Sequence, residues 1–111
     1  MGEAVVTIHF KDMRVQKDVK EEVERRCHDL GDEFPELTHM ELTLVPTQDG
    51  FEASSHATGK DTEAATHATA PESGPCATQA LDKLRQKLRK THDKRIFAHR
   101  RRAHRTHPRR T

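Results

Sequence analysis

A chain of 111 residues has room for one domain with a small core, and its 32% hydrophobic and 34% charged content, without Trp or Tyr, is thin for a wholly folded one. Part of it therefore reads as loop or tail. The formal net charge is only +2, but residues 1–72 carry seven Lys/Arg against sixteen Asp/Glu, net −9, while residues 73–111 carry thirteen Lys/Arg against two Asp, net +11. That asymmetry points to a polyanionic partner for the second half and argues against indiscriminate coating of nucleic acid, because the acidic half repels phosphate. No apolar run reaches the roughly 18 residues of a membrane span. The opening MGEAVVTIHF lacks the basic and apolar segments of a signal peptide, so the protein reads as cytosolic.

In chain order, residues 4–10 (AVVTIHF) alternate, with Val6, Ile8 and Phe10 on one face, and predict a half-buried strand. Residues 16–31 predict a helix, because Val19, Val23, Cys27 and Leu30 recur at three and four residues. Gly31 is its expected stop and Gln16 a weak N-cap. Residues 38–46 (THMELTLVP) alternate again, with Met40, Leu42 and Leu44 together, and Gln48-Asp49-Gly50 signals a turn. Residues 51–58 and 63–70 alternate weakly about a Gly59-Lys60-Asp61 turn and predict a hairpin with His56 and His67 facing outward. After the breaker PESGPC, a second helix is expected from about 75 into the high nineties, striped by Ala77, Leu81, Leu84 and Leu88, with Pro75 in its first turn.

The order β-α-β-β-β-α predicts an α+β fold, a four-stranded sheet with both helices packed on one face. The expected division is residues 1–97 for this domain and residues 98–111 (AHRRRAHRTHPRRT) for a mobile basic tail.

No phosphate-binding glycine loop, nucleophile elbow or His-Glu-x-x-His motif is present, so neither an enzyme nor a small-molecule substrate or cofactor is expected. His99, His104 and His107 lie among arginines without Cys or carboxylate partners, so no metal site is expected there. Cys27 and Cys76 form no Cys-x-x-Cys pair; Cys27 falls on the first helix's apolar stripe as a small buried hydrophobe, and no disulfide is expected.

The strong signal is the second helix. Residues 80–105 hold eleven Lys/Arg against Asp82 and Asp93. At about 100° per residue, Lys83, Lys87, Lys90, Lys94 and Arg101 fall together opposite the leucine stripe. A same-sign row repels itself unless a partner neutralises it, so these residues are candidate phosphate contacts. Few Asn or Gln are available to read base edges, which favours RNA recognised by shape. Phe97, on the same face, either stacks on a base or is buried with Ile96.

The sequence ATQALDKLRQKLRKTHDK (residues 77–94), with its Lys83-Leu84 to Leu88 core, and RVQKDVKEEVERRCHDL (residues 14–30), with Val15, Val19, Val23 and Leu30, resemble the two helices of the ribosome hibernation-promoting factor and ribosome-associated inhibitor family, the ribosomal subunit interface proteins. The resemblance covers residues 4–95. It implies a short-form translation inhibitor that is a monomer when free and binds rRNA of the small ribosomal subunit in the mRNA and tRNA channel. By position it adds Lys20 and Arg26 on the first helix as RNA contacts, beside Lys83, Lys87 and Lys90. Departures are PESGPC where the family often has Asp-x-Tyr, a hairpin rich in Ala, Thr and His, and a basic tail. The alternatives are a general structured-RNA or DNA-binding module of similar layout, and an adaptor that binds acidic proteins.

Overall fold

The computed structural model describes the backbone of residues 4–103 and the side chains of residues 4–91. Its elements are β1 (Val5–Phe10), α1 (Lys17–Glu33), β2 (Leu37–Thr47), β3 (Gly50–Gly59), β4 (Thr62–Ala70) and α2 (Ser73–Ala103). The expected β-α-β-β-β-α order is therefore the observed one. The strands form one sheet in the order β1-β2-β3-β4. β1 runs parallel to β2, as the α1 crossover between them permits, and β2, β3 and β4 are antiparallel neighbours.

Register puts the alternating apolar residues on one face. Val6, Ile8 and Phe10 stand beside Met40, Leu42 and Leu44, and across β3 come Ala57, Ser55 and Ala53. The β2 residues are fully buried, and with Val19, Val23, Cys27 and Leu30 of α1 and Leu81, Leu84 and Leu88 of α2 they make one continuous core. Both helices thus cover the same sheet face.

The hairpin's small side chains have a packing reason. Ala53, Ala57, Ala64 and Ala68 are buried under α2, which turns Cys76, Ala77 and Ala80 toward the core. Small residues on both surfaces let the helix axis approach the sheet closely. The buried Ser55 is satisfied there: Thr66 Oγ1 donates to the Ala80 carbonyl (2.8 Å), so the Ser55 hydroxyl donates to Thr66.

Two turn glycines are obligatory. Gly50 has φ +151°, and a Cβ on it would lie 2.4 Å from the Ala70 carbonyl oxygen. At Gly59 the obstacle is packing, since a Cβ would lie 2.3 Å from the Glu36 oxygen.

The structure corrects two helix-end expectations. Gly31 does not stop α1; the helix runs on to Glu33, and the Phe34 N–H closes on the Leu30 carbonyl at 2.8 Å. Burial of Phe34 at 2% exposure outweighs the roughly 1 kcal/mol propensity cost of an internal glycine. Val15 precedes α1, as expected, and is 64% exposed. Gln16 precedes α1 without capping it through its side chain, which instead accepts a hydrogen bond from Ser73 at the start of α2.

Both cysteines are free and buried. Burial pushes the Cys27 thiol up to about 11, and desolvation raises Cys76 as well, so each behaves as an inert core side chain.

Candidate nucleic-acid interface

α2 is basic because its leucine stripe takes one side and leaves the other for water. The tertiary structure divides that exposed surface in two. On the flank over β4 stand Lys83, Lys87 and Lys90, all exposed, with His67, Gln86 and Thr66 along the same shallow groove. Lys83 Nζ donates to the His67 carbonyl (3.0 Å) and Lys87 Nζ to the Ala65 carbonyl (2.8 Å). β4 is an edge strand, and two lysines close its unpaired carbonyls.

This corrects the expectation that these lysines stand opposite the leucine stripe. Lys83 and Lys87 lean round the helix to the sheet edge, because backbone carbonyls lie within reach of their flexible stems. Lys90, one turn further on, lines the same groove beside Glu63, Ala65 and Thr91.

On its other flank α2 meets α1, in a seam lined by Arg26, Asp29, Glu33, Asp82 and Arg85. Arg85 forks onto Glu33 (Nε to Oε1 2.7 Å, Nη2 to Oε2 3.3 Å). Arg26 bonds Glu22 at 2.9 Å and reaches Asp82 at 3.4 Å. The Arg85 hydrogen bond holds the Glu33 carboxyl below its usual range, and bonds from Arg25 and then Arg26 do the same for Glu22. A depressed carboxylate contributes stability above its unfolded pKa, and loses it as pH falls through the folded value. The seam therefore loosens on acidification.

The residues expected at the interface thus do not form one patch. Lys83, Lys87 and Lys90 come together on the β4 flank. Arg26 is half-buried and committed to acids in the seam. Lys20 is exposed on α1 but lies about 120° around that helix from Arg26, on a different side. Lys94 and Arg101 follow on the α2 backbone, and their side chains lie outside the described residues, as does Phe97. Sequence reasoning passed over Arg85. Nothing local links it to Glu33, 52 residues away.

Among the described residues, His28, Asp29 and Asp32 are the group of potential metal ligands close enough to meet, and all three are exposed side chains on α1. No helix among the described residues is long and apolar enough to cross a membrane.

A two-layer sandwich with this element and strand order is an α+β fold that solved structures share. A ribosomal subunit interface protein from Coxiella burnetii superposes with a TM-score of 0.73 at 10% identity, over 79% of this chain and 97% of that one. The N-terminal domain of Protein Y from Thermus thermophilus gives 0.69 at 11% identity, over 80% and 99%. At such identity these likenesses show the fold. Membership rests on the sequence pattern itself: residues 6–96 match the family model described as Sigma 54 modulation protein / S30EA ribosomal protein, and the chain belongs to that family. No curated protein sequence matches it significantly.

Proposed function

We propose that the protein is a ribosome-associated translation inhibitor of the hibernation type, which binds rRNA of the small subunit in the channel where mRNA and tRNA sit. Family membership over residues 6–96 supports association with the ribosome. The observation that carries the RNA contact is the lysine row on the α2–β4 flank, with Lys83, Lys87 and Lys90 exposed along one groove. Such a row follows a phosphate backbone without reading bases. Lys94 and Arg101 extend it along the helix by sequence, and Lys20 is a second, separate contact on α1. Arg26 contributes only after exchanging Glu22 and Asp82 for phosphate. The protein acts by occupancy rather than catalysis, in the cytoplasm, as a monomer when free, and needs neither metal nor small-molecule substrate.

The test is co-sedimentation with purified small subunits. The native chain is expected in the ribosomal fraction, and the Lys83→Gln/Lys87→Gln/Lys90→Gln variant in the unbound fraction. The slope of log affinity against log salt should fall by about one for each phosphate contact removed. Equal binding of native protein to small subunits and to unrelated duplex RNA would instead favour a general structured-RNA module.

A further inference from the structure

The sheet face turned away from the helices has its own chemistry. β1 presents His9, β2 presents His39 and Glu41, β3 presents Glu52 and His56, and β4 presents Glu63 and His67, all alternating with the core-facing residues. Within the four strands no Lys or Arg alternates onto this face. With its imidazoles neutral it therefore carries three carboxylates and a net charge of −3; protonating all four imidazoles would make that +1.

The carboxylates are organised across the strands. His9 Nε2 bonds Glu41 Oε2 at 2.9 Å, and His56 Nε2 bonds Glu63 Oε2 at 2.8 Å. His67 bonds Glu52 Oε2 in the same way, while His39 bonds the Thr7 hydroxyl at 3.3 Å. Glu41 and His56 are direct register partners, so one line of alternating imidazole and carboxylate crosses the whole sheet. Three of the imidazoles, those of His9, His56 and His67, each hold one oxygen of a carboxylate and leave the other for a donor from outside. Cations border it at the rim: Lys83, Lys87 and Lys90 approach the β4 edge beside His67 and Glu63, Lys11 directly follows β1, and Lys60 sits in the β3–β4 turn beside Asp61. Among the described residues no element packs over the face.

We propose that this face docks an arginine- or lysine-rich protein segment, and that protonation of its four histidines releases that segment on mild acidification. Charge complementarity selects the occupant. An ordered row of carboxylates with cations only at its rim repels nucleic acid at neutral pH, whereas guanidinium groups can take the unshared carboxylate oxygens. Neutral imidazoles steady the carboxylates, and charged ones cancel them and repel the guest. The molecule is then two-sided, with a cationic α2–β4 flank and an anionic sheet face. The two surfaces meet at the β4 edge, where His67 and Glu63 also border the lysine groove, and His9, His39, Glu41, Glu52 and His56 belong to the sheet face alone.

The experiment titrates the full-length ¹⁵N-labelled chain with a short synthetic arginine-rich peptide at low salt, near neutral pH and at about pH 5.5. Near neutral pH the perturbed amides should cluster around Glu41, Glu52 and Glu63, and the affinity should fall several-fold at the acid pH. Glu41→Gln/Glu52→Gln/Glu63→Gln should bind the peptide about tenfold more weakly. The His9→Gln/His39→Gln/His56→Gln/His67→Gln variant should keep the neutral-pH affinity and lose the acid response. Perturbations confined to the exposed acids of α1, undiminished binding by the Glu→Gln variant, or affinity unchanged with pH would each overturn the proposal. So would a short RNA duplex that at neutral pH perturbs the amides around His9 and Glu41, away from the β4 edge.

Discussion

At the scale of single residues, the three lysines of the α2–β4 flank are unequal. Lys83 and Lys87 have carbonyl partners on β4 in the free protein, whereas the described contacts give Lys90 none. An ammonium bonded to a carbonyl keeps its charge, so all three can meet phosphate, but only two also close the sheet edge. Lys87→Glu sets a carboxylate against the Ala65 carbonyl, which repels it. We expect Lys87→Glu to lower both RNA affinity and the melting temperature, and Lys90→Glu to lower affinity alone. Thermal melts beside filter binding of the two variants check this; equal melting temperatures would show that edge closure adds nothing to stability.

At the scale of elements, α2 stabilises the fold through its first half. Leu81, Leu84 and Leu88 are buried, and the helix backbone continues from Leu88 to Ala103, roughly 22 Å further at 1.5 Å per residue. Leu84 has no exposed surface and sits over β3 and β4 beside the small residues that bring the helix close. Leu84→Ala is therefore expected to cost about 2–5 kcal/mol, which in so small a domain approaches the whole stability. Urea unfolding of native and variant protein measures it, and a cost below about 1 kcal/mol would mean that α2 is only loosely docked.

At the scale of the whole molecule, charge is segregated in space as well as in sequence. Acids occupy α1 and the outer sheet face, and the cations of the second half follow α2. The basic tail expected at residues 98–111 begins within the α2 backbone, which passes through that boundary to Ala103; residues 104–111 lie outside those described. Arg100, Arg101, Arg102, Arg105, Arg109 and Arg110 have no acid among them. Their contribution to RNA binding is expected to be affinity without selectivity. Deleting residues 99–111 should weaken binding strongly at low salt and leave the preference for small subunits over total RNA unchanged. Competition between the two at two salt concentrations decides it, and loss of the preference would make the tail the reader.

Sequence alone determined the element order, the core and the division of charge, because each is written in short-range periodicity. Met40, Leu42 and Leu44 alternate, Val19 to Leu30 and Leu81 to Leu88 recur at helical spacing, and a buried face needs no more than that. Even the weakly alternating Ala and Thr hairpin was legible from its turn, though the reason for its small residues was not, since that lies in the approach of α2. Helix ends were less legible: Gly31 carries a local stop signal, but the distant core that buries Phe34 overrides it. The candidate site was legible as a list of cations and not as a surface. Which way Lys83 and Lys87 lean, the neutralisation of Arg26, the separation of Lys20 and the histidine–glutamate row all depend on register and on how the helices are set upon the sheet. His9 meets Glu41 across 32 residues of chain, and Arg26 meets Asp82 across 56. Only the tertiary structure decides such pairs, because local periodicity says which face a side chain takes and nothing about which partner waits there.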